Sequence, residues 1–190
     1  MRCLICQNLS LKMICKNCKN NLLEPAFNKR ELEKDFFVYS FYPYEDIKIL
    51  LNTKYEFYGD KVFNIISELS FQKFSNNFTY PEQVYIIPID DHTRHEFSQT
   101  AILAKSLKSD YLIPMYDSLK ATNIVKYAGK DLNFRKQNKR NFIYKGKNNI
   151  KVILIDDLIT TGTTILEAKK ALEKANCEVL FALTISDARV

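Results

Sequence analysis

The stretch KVILIDDLITTGTT, Lys151 to Thr164, decides the fold. Val152, Ile153, Leu154 and Ile155 form an unbroken apolar run rich in β-branched residues, the composition of a parallel strand buried on both faces. Asp156 and Asp157 close the run, which puts two acids at the carboxyl end of the expected strand, the edge where open α/β sheets take ligands. Leu158 to Thr164 then supplies four threonines and one glycine, and Ile165, Leu166, Ala168, Lys169 and Leu172 follow at helical spacing. The N–H groups of such a helix start, with threonine hydroxyls beside them, suit a phosphate. The carboxylates only accept hydrogen bonds, so they suit sugar hydroxyls or a magnesium ion. The bland alternative is that Asp157 or Thr160 merely caps a helix.

Working outward, the same grammar repeats. Phe36 to Tyr42 reads as an aromatic strand, and Tyr44 to Asn52 turns helical with Ile47, Leu50 and Leu51 on one face. Val62, Ile65, Ile66 and Leu69 repeat that pattern after a turn at Tyr58-Gly59-Asp60. Lys54 lies between these helices, either steering an anion toward the sheet or, the plainer reading, as a solvated charge complementing a helix dipole. Val84 to Ile89 is a second buried strand, closed by Asp90 and Asp91 and followed by His92-Thr93-Arg94-His95 and a helix from Phe97 to Leu107. Tyr111 to Met115 is a short strand, and a strand at Ile150 to Ile155, a helix to Ala175 and a strand from Val179 to Ile185 complete an alternating α/β pattern. G-x-G-x-x-G and G-x-x-x-x-G-K-[ST] are absent, and four glycines in the whole chain could not build either loop.

The 190 residues, 46% of them hydrophobic, suffice for one main domain with a small appendage. No apolar run is long enough to span a bilayer, and Cys3, Cys6, Lys12 and Cys15 interrupt the region a secretory signal would need, so the cytoplasm is the expected compartment. Cys3, Cys6, Cys15 and Cys18 form C-x2-C-x8-C-x2-C, two knuckles that together make a closed S4 site. Structural zinc is expected there, with an iron–sulfur centre or a redox dithiol as alternatives. Its fold is expected to rest on the metal and to be separate from the main core. Two histidines are too few for a catalytic zinc site of three histidine ligands.

The net charge of +6 is local: Leu119 to Lys151 holds ten Lys or Arg against Asp131 alone. Lys126, Lys130, Arg135, Lys136, Lys139 and Arg140 alternate there with Tyr127 and Phe134, the mixture that serves single-stranded nucleic acid by attracting phosphates and stacking on bases. A basic lid over an active site needs the same side chains.

Val152 to Thr164 resembles the signature of type I phosphoribosyltransferases, whose acids and Thr-Thr-Gly-x-Thr loop bind phosphoribosyl pyrophosphate. With the cysteine module, Lys54-Tyr55-x3-Gly59-Asp60 and Phe97-Ser98-Gln99, the chain as a whole resembles the ComF family of competence-associated phosphoribosyltransferase-like proteins. The resemblance implies a type I phosphoribosyltransferase-like α/β fold over 31–190, a mostly parallel sheet flanked by helices, behind a zinc-knuckle module over 1–30. It implies that Asp156 and Asp157 hold the ribose hydroxyls, directly or through magnesium, while Thr160, Thr161, Gly162, Thr163 and Thr164 wrap the 5-phosphate. Arg94 and His95 become candidate pyrophosphate contacts. Its further implications are a role in natural transformation, single-stranded DNA and other competence or DNA-transport proteins as partners, and a cytoplasmic place or a peripheral one at the inner membrane. Where the family reads Arg-Gly-Phe-Asn-Gln, this chain has His95-Glu96-Phe97-Ser98-Gln99, exchanging a permanent cation for a titratable imidazole beside the leaving group. Binding is therefore expected ahead of catalysis. The rival readings are an active salvage or biosynthetic transferase and a zinc-bearing adaptor with a vestigial ligand site.

Overall fold

The computed structural model describes residues 1–89, 97–123 and 140–189. Among them, six strands form one sheet in the order β1-β2-β8-β7-β3-β4. These are β1 (Asn28–Glu33), β2 (Phe36–Pro43), β3 (Val84–Pro88), β4 (Leu112–Pro114), β7 (Lys151–Ile159) and β8 (Glu178–Asp187). β1 is antiparallel to β2 and the other pairings are parallel. A separate antiparallel ribbon joins β5 (Leu119–Ala121) to β6 (Phe142–Tyr144). The helices are α1 (Lys16–Asn21), α2 (Tyr44–Asn52), α3 (Gly59–Leu69), α4 (Phe71–Asn77), α5 (Gln99–Ser106) and α6 (Thr163–Glu173), with a 3-10 turn at Thr53–Tyr55. No helix among the described residues is long and apolar enough to cross a membrane.

β7 lies inside the sheet because both of its faces are apolar. Ile153 and Ile155 pack with Val62, Phe63, Ile66 and Leu103, while Val152 and Leu154 pack with Ile165, Ala168 and Leu172. Alternate side chains of a strand point to opposite faces, so one apolar run feeds two cores, and each fully buried aliphatic contributes roughly 1.5–3 kcal/mol.

Three expectations are corrected here. β7 does not stop at the acids: Asp156 pairs with Thr184, Leu158 with Ser186 and Ile159 with Asp187. β8 runs far enough to supply those partners, and Ile159, 2% exposed, anchors the strand's end in the α6 core. The acid pair thus sits within the strand and inherits its rigidity. β1, with the polar sequence NKRELE, was not expected as a strand and forms the antiparallel edge. Finally, the cysteine segment does not have a separate core. Cys3, Ile14, Cys18 and Leu23 belong to the same apolar cluster as Phe41, Tyr42 and Phe71. The joint is also hydrogen-bonded: the Tyr42 hydroxyl donates to the Leu23 carbonyl at 3.3 Å and the Ala26 N–H to the Phe41 carbonyl at 2.8 Å.

Candidate functional site

Successive strand positions project to opposite faces, so Asp156 and Asp157 look into different layers. Asp157 meets Lys54 from the 3-10 turn, whose Nζ donates to Oδ2 at 2.7 Å, with the two side chains 23% and 14% exposed. Burial pulls the Lys54 pKa down, but the charge and hydrogen bond of Asp157 outweigh it and hold the ammonium above its ordinary value. Asp156 is buried and accepts the Asp157 N–H at 2.8 Å. Burial, and then the charge of Asp157, pushes its carboxyl up to about 7 against the pull of Arg140 and Lys54.

Lys54 is therefore not the solvated charge that its isolation in the sequence suggested. The signal lay in its spacing to Gly59. A Cβ on Gly59 would stand 2.2 Å from the Thr53 carbonyl oxygen, so α3 can start against the turn that carries Lys54 only with glycine there. Thr53 holds the turn from beneath, 5% exposed, with its hydroxyl donating to the Leu50 carbonyl at 2.6 Å.

The loop after β7 is shaped by Gly162 and by β1. Gly162 has φ +82°, in the left-handed region, and a Cβ there would lie 2.7 Å from the Leu32 side chain. Its carbonyl accepts the Leu166 N–H at 3.0 Å and opens α6, which no side chain of Gly162 caps. The Thr161 hydroxyl sits 3.0 Å from that of Thr163 and accepts the Thr163 N–H at 3.4 Å. Two residues apart on β1, Arg30 and Leu32 support this loop: Arg30 Nη1 donates to the Thr160 carbonyl at 2.8 Å and pairs with Asp187 at 3.0 Å. Thr160, Thr161, Gly162, Thr163 and Thr164 thus stand in one turn and helix start after the strand that carries Asp156 and Asp157. The supports from β1 were invisible in sequence because more than 100 residues separate them from the loop.

Arg94 and His95 lie outside the described residues, as do Lys126, Tyr127, Lys130, Phe134, Arg135, Lys136 and Lys139. Arg140 is described. Its N–H donates to Glu167 of α6 at 2.9 Å, its carbonyl accepts the Thr122 N–H at 3.1 Å, and its charge acts on Asp156.

The four sulfurs of Cys3, Cys6, Cys15 and Cys18 all lie within 4.8 Å of one another, Cys6 and Cys15 at 3.8 Å. Tetrahedral zinc with bonds of ~2.3 Å needs sulfurs about 3.8 Å apart, so the set fits one such ion. Backbone N–H groups of Cys15 and Cys18 point at Cys3 and Cys15 sulfurs at 3.3 and 3.4 Å. Burial would raise the Cys3 thiol, but hydrogen bonds from the Cys15, Cys6 and Ile5 backbone bring it down to about 6. Burial and the neighbouring sulfurs push Cys18 up to about 12. Four thiolates at this spacing repel unless a cation lies among them, which is the chemistry of a metal-binding knuckle pair.

The sequence profile described as phosphoribosyl transferase domain matches residues 60–189. The chain belongs to the phosphoribosyltransferase domain family. Similar solved structures include an adenine phosphoribosyltransferase, 13% identical over 89% of each chain with a TM-score of 0.44. The adenine phosphoribosyltransferase of Leishmania tarentolae is 14% identical over 85% of this chain and 95% of its own, with a TM-score of 0.43. No curated protein matches the chain. The matched stretch takes in the acid pair and the threonine loop, and leaves out Cys3, Cys6, Cys15, Cys18, Arg30 and Lys54.

Proposed function

We propose that this protein binds phosphoribosyl pyrophosphate with magnesium at the carboxyl edge of its sheet. In this reading Asp156 and Asp157 take the ribose hydroxyls, Thr160 to Thr164 wrap the 5-phosphate, and Arg94 and His95 contact the pyrophosphate. The observation that carries it is the acid pair in a rigid strand leading directly into a glycine-hinged threonine loop and helix start. Cys3, Cys6, Cys15 and Cys18 hold one structural zinc within a module over 1–30, ahead of an α/β domain over 31–190. The cysteine module in front of a phosphoribosyltransferase domain is what supports the ComF reading: a cytoplasmic protein of natural transformation that handles imported single-stranded DNA, together with other competence or DNA-transport proteins. Lys126, Lys130, Arg135, Lys136, Lys139 and Arg140 contact DNA phosphates, and Tyr127 and Phe134 stack on bases.

One preparation tests the whole reading. Calorimetry with phosphoribosyl pyrophosphate and magnesium measures binding, pyrophosphate release across the nucleobases measures turnover, and a salt titration measures affinity for an oligonucleotide. The expected result is ligand binding without turnover, and DNA binding whose logarithmic salt slope becomes shallower by about 0.7 for each phosphate contact removed. Absence of ligand binding refutes the site. Product formation with one base favours the salvage or biosynthetic transferase, and undetectable DNA binding at low salt removes the competence role.

A further inference from the structure

The Lys54–Asp157 pair lies outside the stretch shared with other phosphoribosyltransferases at its lysine end, and the proposed ligand contacts make no use of Lys54. We propose that Lys54 is the resident counter-ion of the acid pair, so that Asp156 and Asp157 receive ribose hydroxyls without a divalent cation on their carboxylates. This rests on the reading that the two acids face the ribose.

The geometry separates this pair from an incidental surface contact. Nζ stands 2.7 Å from Oδ2 with both side chains mostly withdrawn from water, where a charge pair is screened far less than on a surface. Its backbone is fixed twice over, by the Thr53 hydroxyl on the Leu50 carbonyl and by the close approach of Gly59 to Thr53. Long lysine side chains are entropically reluctant to stay in one place, so a fixed base and a half-buried carboxylate partner together define a built position. Each acid already has a cation acting on it: Lys54 sits on Asp157, and the charges of Arg140 and Lys54 both pull on Asp156. Magnesium in addition demands near-octahedral oxygen ligands at close range, and an ammonium already stands at Asp157 Oδ2, where it would repel a second cation. An ammonium that holds Asp157 through Oδ2 leaves the other carboxylate oxygen to accept a ribose hydroxyl. Magnesium then belongs on the ligand's pyrophosphate, and Lys54 is a positioning residue acting through Asp157.

Ribose 5-phosphate tests this, because it keeps the hydroxyls and the 5-phosphate but has no pyrophosphate to carry magnesium. Calorimetry on the full chain is run in EDTA and again in excess magnesium. The wild-type affinity is expected to agree within about twofold between the two. Lys54→Met should lose about tenfold or more in EDTA, as expected for a lost hydrogen bond to a charged group, and magnesium should restore part of the loss. Lys54→Arg, which keeps the charge, should bind within a few-fold of wild type. Lys54→Gln carries the same expectations should Lys54→Met not fold. Wild-type affinity that rises several-fold with magnesium, or neutral Lys54 variants that bind like wild type, overturns the counter-ion role. Asp157→Asn and Thr161→Val separate this from the underlying reading: if they weaken binding and Lys54→Met does not, only the counter-ion role fails. If they leave binding unchanged, or if the wild-type chain does not bind ribose 5-phosphate, the ribose site and the counter-ion role both fall.

Discussion

Asp156→Asn should make the unliganded protein more stable, and increasingly so as the pH rises. Asparagine has the carboxylate's shape and keeps an oxygen to accept the Asp157 N–H, so packing and that hydrogen bond survive. What disappears is a carboxylate whose ionisation is opposed first by burial and then by Asp157, raising its pKa from 3.8 to about 7. The folded state therefore holds this proton more tightly than the unfolded chain. Below about pH 4 the group is neutral in both states and contributes no penalty. Between about pH 4 and pH 7 the unfolded chain releases the proton while the folded chain keeps it, so stability falls with rising pH, and above about pH 7 the loss levels off. The penalty is the free-energy difference between holding and releasing that proton in the folded state, relative to the unfolded chain, and it is fully expressed once the pH exceeds both pKa values. Urea unfolding of wild type and variant at about pH 5, 6, 7 and 8 reads the difference directly, since other carboxylates cancel between the two proteins. The gap should widen with pH and flatten near pH 8, and phosphoribosyl pyrophosphate affinity should fall in the same variant. A gap that is constant across this range, or a variant less stable at pH 8, refutes the assignment of the penalty to Asp156.

Gly162→Ala should lose about 1–3 kcal/mol in chemical denaturation and weaken the ligand by slackening the loop, because φ +82° and contact with Leu32 both oppose a Cβ. An alanine variant of wild-type stability and affinity would remove the argument for a hinge. Arg30→Met leaves Asp187, 2% exposed, without its 3.0 Å partner, and should cost about 3–5 kcal/mol by thermal or urea unfolding. Adding Asp187→Asn should recover part of that loss; no recovery would mean that Arg30 stabilises through the Thr160 carbonyl instead. Cys15→Ser, or metal removal by a chelator, should lower the melting temperature of the whole chain in one transition, because Cys3 and Cys18 share a core with Phe41 and Phe71. Two separated calorimetric transitions would show that the module melts alone.

The phosphoribosyl signature was readable because its information is local. An apolar run that feeds both faces of a sheet, two acids, and threonines around one glycine are consecutive residues, and strand, loop and helix each follow from a few neighbours. The cysteine pairs were readable for the same reason, since a C-x2-C spacing is itself a local quantity. Tertiary structure decided what required distant chain to meet. β7 continued through Asp156 and Asp157 because β8 supplied a ladder as far as Asp187. Lys54 became a paired, half-buried cation only when its turn was set beside Asp157, and a polar edge strand became the support of the threonine loop through Arg30 and Leu32. The cysteine segment joined the main core through Ile14 and Leu23, apolar residues whose partners no local pattern names. Sequence by itself placed the acid pair and the threonine loop in one run, because type and spacing are local quantities. Only the fold determined how those groups are charged and held, because burial and ion pairing depend on atoms brought together across the whole chain.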